Sequence, residues 1–157
     1  HFISSELFFV DKGEELFVWD ERPIAYEPLT ILSGLQRALY IACDSAQSFP
    51  RLMKIAEPYD GKECSKEQIE QILQSMMDKY LMIKDGDSYL SLAIPVGDYV
   101  PRREHFERFE RFLQRMEVNK QHETLIEKIR VREVSRNIRV GREEIAFAAG
   151  HIRSAGN

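Results

Sequence analysis

Cys43 and Cys64 are the only thiols in the chain, and they stand 21 residues apart. An iron–sulfur cluster that keeps one iron open needs three cysteines at close spacing, because three thiolates must hold its other irons. Structural zinc needs CxxC or HxxxH groupings, whereas His1, His105, His122 and His151 are scattered. Phosphate-cradling loops of the GxGxxG or GxxxxGK type do not occur. Ser4, Ser5, Ser33, Ser45, Ser88 and Ser91 lack the GxSxG turn that exposes a serine nucleophile. Glu14 with Glu15, and Glu143 with Glu144, read as turn and helix-surface residues, and His105 and His122 as solvated residues on a charged helical face. No catalytic, cofactor-binding or metal residue is expected.

Composition bounds the architecture. Hydrophobic residues make up 43% and charged residues 31% of the 157, enough for one domain, or a small domain with a helical appendage. No apolar stretch approaches the roughly 20 residues that span a bilayer. Cys43 falls in the apolar run Leu39-Tyr40-Ile41-Ala42-Cys43 and reads as a buried small hydrophobe, while Cys64 reads as a free surface thiol in a polar loop. Two distant cysteines do not make a disulfide framework, and a cytoplasmic setting fits them. The start at His1, without a signal segment, is expected to be a linker within a longer polypeptide.

Charge divides the chain. Residues 1–100 carry nine Lys and Arg against seventeen Asp and Glu, and residues 101–157 carry thirteen against nine. The net of −4 is therefore −8 in the first part and +4 in the second, with the boundary near Pro101.

Pattern sets the expected elements. Leu7-Phe8-Phe9-Val10 and Leu16-Phe17-Val18-Trp19 flank Asp11-Lys12-Gly13-Glu14-Glu15, which predicts a β-hairpin with Gly13 at positive φ. An extended segment runs on to Pro28. From Thr30, Leu32, Leu35, Leu39 and Ala42 recur at helical spacing and predict a first helix. A second starts at Ser48 with Pro50 in its first turn, Leu52, Met53, Ile55 and Ala56 inside, and closes at Tyr59-Asp60-Gly61. A third is capped by Ser65 with Gln68 reaching back, and buries Ile69, Ile72, Leu73, Met76, Met77 and Tyr80. Asp85-Gly86 then predicts a two-residue hairpin turn before Tyr89, Leu90, Leu92 and Ile94.

The fold class is thus α+β and mainly helical: an N-terminal β-hairpin, a three-helix winged-helix-like unit with a C-terminal wing hairpin, then a helical tail. Residues 1–100 form the accessory domain, and 101–157 a helical extension packing on it. In the extension, Phe106, Phe109, Leu113 and Met116 recur at heptad spacing. Leu125, Ile126, Ile129 and Val134 suggest continuation past a break near Asn119, with a last short helix over Ile145-Ala146-Phe147-Ala148-Ala149. A winged helix invites a DNA-binding reading. The outer face of helix three nevertheless carries Lys66 and Lys79 against Glu67, Glu70 and Asp78, a net of −1. Phosphate contact needs the opposite sign, so nucleic acid is not the expected partner.

Three blocks resemble a known family. Leu16-Phe17-Val18-Trp19-Asp20-Glu21-Arg22-Pro23 is similar to a strand ending in D-x-R-P. Leu35-Gln36-Arg37-Ala38-Leu39-Tyr40-Ile41-Ala42-Cys43-Asp44 resembles a G-L-x-x-x-x-Y-x-x-C-D helix. Leu81-Met82-Ile83-Lys84-Asp85-Gly86-Asp87-Ser88-Tyr89-Leu90-Ser91-Leu92-Ala93-Ile94-Pro95 resembles a G-L-M-x-x-D-G-D-x-Y-L-x-L-A-x-P close, with Tyr80 where the family has Gly. These blocks belong to the region after the radical domain of radical S-adenosylmethionine, cobalamin-binding maturases of ribosomally made peptides. Such sequences are also labelled Fe-S oxidoreductases or magnesium-protoporphyrin ester cyclases. The resemblance covers about residues 6–95.

It implies a parent enzyme with a 4Fe-4S cluster, S-adenosylmethionine and cobalamin, all held by parts outside this chain. The chain itself would then be a non-catalytic accessory domain whose partners are the catalytic barrel of the same polypeptide and a precursor peptide. The expected contact residues are Leu16 and Val18 on an edge strand, and Gln68, Gln71, Gln74 and Ser75 on the outer face of helix three. A purely structural cap on the barrel remains the competing reading.

Overall fold

The computed structural model describes residues 5–59 and 65–154. Cys64, the Asp60-Gly61 turn, and the side chains of Val134 and of residues 145–149 lie outside the described residues. The chain divides into two compact units, the first ending at Phe106 and the second starting at Glu107, six residues beyond the composition boundary.

The first unit opens with the expected hairpin. Strand β1 (Leu7–Asp11) pairs antiparallel with β2 (Glu15–Asp20), from Leu7 opposite Asp20 to Asp11 opposite Leu16. Gly13 takes φ +93° in the loop, a conformation that costs glycine little. The Asp11 carboxylate fixes this turn, accepting from the Gly13 N–H at 2.9 Å and from the Arg37 guanidinium at 3.0 and 2.6 Å. The Arg37 bonds, then the Gly13 N–H, hold the Asp11 carboxyl below its usual range.

The next segment departs from the helix expected at Thr30. Residues Leu29–Ser33 form a third strand, β3, antiparallel to β2. The β-branched Thr30 and Ile31 suit a pleated strand. Pairing also brings Leu32 and Thr30 onto the core face beside Leu16 and Val18. Gly34 at φ +53° turns the chain directly into α1 (Gly34–Ala42).

A two-residue strand, β4 (Gln47–Ser48), precedes α2 (Phe49–Ala56), which has Pro50 in its first turn and Leu52 and Ala56 buried. Helix α3 (Lys66–Asp78) starts with the capping box: the Gln68 N–H donates to Ser65 Oγ and the Ser65 N–H donates to Gln68 Oε1, both at 3.2 Å. Ile69, Leu73 and Met76 face the core, whereas Tyr80 lies beyond the helix and is half exposed. The wing is β5 (Met82–Asp85) with β6 (Ser88–Ser91). Asp85 pairs with Ser88, so the two-residue loop is Gly86-Asp87, one residue later than expected, with Gly86 at φ +56°.

Strand β7 (Ile94–Pro95) returns to the first sheet, parallel to β1. The sheet orders are β3-β2-β1-β7 and β4-β6-β5. Three helices with β4 joined into the wing sheet make the winged-helix-like unit, and the fold is α+β. The helices cover one face of the first sheet, burying Phe9, Leu16, Val18 and Leu32 with Leu39, Tyr40, Leu52, Ile69 and Leu73. The other face carries Phe8, Trp19 and Leu29, also buried. Burial on both faces explains why β1 and β2 read as near-continuous apolar runs.

Helix α4 (Arg103–Ser154) is continuous through Asn119 and through 145–149, so the expected break and separate last helix do not occur. One asparagine costs only a few tenths of a kcal/mol of helix propensity.

The end of α3 stores strain. Leu81 N–H donates to Met76 O at 3.0 Å and Tyr80 N–H to Met77 O at 2.9 Å, the two bonds of a Schellman cap. That geometry needs a left-handed residue, and Tyr80 supplies it at φ +57° at a cost of about 1–2 kcal/mol. Tyr80→Gly is therefore expected to raise unfolding free energy by about 1 kcal/mol, measured as a higher midpoint in urea.

Candidate functional site

The residues of the three sequence blocks converge on one buried network. Asp20, nearly inaccessible at the end of β2, accepts from the Arg22 guanidinium at 2.9 and 2.7 Å and from the Arg22 backbone N–H at 3.0 Å. The same guanidinium donates to Tyr80 O at 2.6 Å, tying the first sheet to the α3 cap. The bond to Asp20 is the main reason Arg22 holds its proton more tightly than usual. Tyr40 of α1 sits beside it, fully buried. Its hydroxyl donates to Leu81 O at 3.0 Å and accepts from the Ala93 N–H at 3.2 Å. Burial is the main cause of its raised phenol pKa. Ser91 completes the junction: its hydroxyl donates to Tyr40 O at 2.5 Å, and its N–H to Cys43 O at 2.7 Å. Cys43 is a buried thiol whose pKa burial pushes up to about 11. Each polar group in this network faces another element, which makes it a junction of α1, sheet and wing.

In the first unit, an accessible polar surface lies on α3. Gln71 and Gln74 form a ridge with a groove on either side. One groove, of about 490 Å³, is lined by Tyr26, Gln71, Gln74, Ser75, Asp78 and Lys79. The other, of about 540 Å³, is lined by Glu67, Glu70, Gln71, Gln74, Met77, Lys84 and Tyr89. Each outer wall is a lysine over a tyrosine ring, Lys79 on Tyr26 at 5.7 Å and Lys84 on Tyr89 at 5.3 Å. Lys79 also bonds Glu27 at 2.6 Å, which joins the approach to β3 with the end of α3. Primary amides offer both donors and acceptors, so a glutamine ridge can bond the backbone of an extended chain.

Three expected contact residues, Gln71, Gln74 and Ser75, thus share one groove. Gln68 stands on the same helix, but its side-chain oxygen serves the Ser65 cap. Leu16 and Val18 are corrected. Strand β2 is flanked by β1 and β3, and both side chains have zero exposure, so neither offers a surface. One edge of this sheet is β3. Asp20 N–H donates to Pro28 O at 2.9 Å, which sets the alternation of the ladder. Thr30 and Leu32 then face β2, while the backbone groups of Leu29 and Ile31 point away from it, with no strand beside them among the described residues.

His105 is a second correction. Expected as a solvated histidine, it has a side chain only 1% exposed, hydrogen-bonded to Glu21 and near Glu6. The signal was its place four residues before Phe109, on the edge of the apolar stripe.

Among the described residues, no group of three His, Cys, Asp or Glu is placed to hold a metal ion, and no helix is long and apolar enough to cross a membrane. Compared with known proteins, the chain matches no family model, no curated protein and no solved structure.

Two outcomes test the junction. Tyr40→Phe leaves the Ala93 N–H without its acceptor, while the Leu81 carbonyl keeps the Leu92 N–H, and is expected to cost about 1–3 kcal/mol in chemical denaturation. With Cys43 at about pKa 11, roughly one thiol in a thousand is ionised at pH 8. Peptide mapping should therefore find Cys43 unalkylated by iodoacetamide in the native chain and alkylated after denaturation.

Proposed function

We propose that this chain is a non-catalytic accessory region of a larger radical S-adenosylmethionine peptide-modifying enzyme, and that its first unit docks the precursor peptide in an extended form. The observation that carries the reading is the pairing of an open β3 edge with the polar α3 groove, joined by the Lys79–Glu27 contact. An extended peptide satisfies both at once. Its backbone adds to Leu29 and Ile31, and the Gln71 and Gln74 amides bond groups the edge does not reach. Glu67, Glu70 and Asp78 on the same helix favour a peptide carrying Lys or Arg. The acidic balance of residues 1–100 points the same way and weighs against nucleic acid.

The parent's chemistry does not reside here. Two cysteines cannot supply the three thiolates of a cluster that binds S-adenosylmethionine, so no step of the reaction is assigned to these residues. The likeness to the maturase family rests on the three sequence blocks. A cytoplasmic setting accords with a buried thiol such as Cys43.

The test is calorimetric titration of the 157-residue chain with the precursor peptide encoded beside the parent gene. Saturable binding is expected. Gln71→Ala combined with Gln74→Ala should weaken it about tenfold, the loss of one or two net hydrogen bonds. Ile31→Pro should weaken it further, since it removes an outward N–H while leaving the bonds of Thr30 and Leu32 to β2. No heat change at high peptide concentration would sink the proposal in favour of a structural cap.

A further inference from the structure

We infer that His105 is a proton-dependent latch fastening the first turn of α4 to the open end of the β1–β2 hairpin. Its ring is buried between carboxylates from different elements. Nδ1 bonds the Glu21 carboxylate, just after β2, and Nε2 lies 3.7 Å from Glu6 Oε1, just before β1. Glu104, on the helix itself, places Oε1 3.5 Å from Nε2. The Glu21 N–H donates to Glu6 O at 2.9 Å, so the two hairpin carboxylates are held as a pair. From the segment leading into α4, the Arg102 N–H donates to Glu6 Oε1 at 3.4 Å. The Tyr99 phenol also meets Glu6, and its pKa is raised first by burial and then by that carboxylate. The titratable and charged groups that these contacts bring to the ring include Glu6, Glu21, Tyr99, Arg102 and Glu104, with Arg103 adjacent in the chain.

This geometry distinguishes the two forms of the ring. The imidazolium donates from both nitrogens, one toward each hairpin carboxylate. The neutral ring has one lone pair, which then faces a carboxylate at a buried site. Loss of the proton replaces attraction by repulsion at a buried site, and histidine is the side chain that changes charge near neutral pH. The latch is closed on the acid side and weakened on the alkaline side.

The chain contains its own reporter. Phe106, the next residue, packs on Phe8 with ring centres 6.3 Å apart, and Phe8 is the cross-strand partner of Trp19, the only tryptophan. Loosening the first turn of α4 therefore changes the surroundings of Trp19.

The experiment records Trp19 emission of the full chain from about pH 5.5 to about pH 9, with far-UV circular dichroism to verify that the fold persists. A reversible red shift on the alkaline side is expected. His105→Gln should abolish the transition, and Glu21→Gln should move its midpoint lower by removing a facing negative charge. A flat profile in the unmodified chain, or a transition unchanged in His105→Gln, overturns the latch. Should His105→Gln fail to fold, the Glu21→Gln midpoint decides, and an unshifted midpoint overturns it equally.

Discussion

Everything in the first unit depends on the Asp20–Arg22 ion pair being satisfied out of water. Asp20 is almost fully buried, and a lone carboxylate there would cost several kcal/mol. Arg22 answers it with a bidentate pair and spends its remaining reach on Tyr80 O. That third bond joins the first sheet to the cap of α3, the point from which the wing departs. Tyr40 and Ser91 extend the same logic to α1 and β6. An error in the path of any one strand would strand a buried polar group, so the network selects one mutual arrangement.

Features fixed by local chemistry were legible before the structure. The hairpin loop at Gly13, the Ser65–Gln68 box and the wing turn each depend on a few adjacent residues, and each is present, the wing turn one residue later than expected. Features fixed by distant pairing were not. Strand β3 runs into α1 through a single left-handed glycine, and Leu32, Leu35 and Leu39 happen to continue the helical spacing backwards into the strand. Only the partner β2, ten or more residues away, decides that Leu32 belongs to a sheet. Strand β4 has two residues and no pattern of its own, and it exists because β6 offers an edge.

The same distinction governs the candidate surface. The outward residues of α3 follow from helical geometry, so Gln71, Gln74 and Ser75 were found where the period puts them. Leu16 and Val18 were assigned to an edge because β3 was invisible. Once β3 takes that edge, they move to the centre of the core, and the exposed backbone passes to Leu29 and Ile31. His105 was read from its charged neighbours alone. Its partners, Glu6 and Glu21, are brought to it by the hairpin, which no local pattern around residue 105 can reveal.

The location of the sequence blocks alters what a resemblance to the maturases can mean. Asp20, Arg22, Tyr40, Cys43, Leu81, Ser91 and Ala93 are all drawn from those blocks, and all take part in the buried junction. Residues so placed are constrained by packing and hydrogen bonding, and such constraints act whatever the domain binds. The blocks therefore bear on architecture rather than on a ligand. Under the peptide-docking proposal, selectivity would come from the positions that architecture leaves free, the ridge of α3 and the edge of β3. There, on the same proposal, a change of side chain would alter the partner and leave the fold intact.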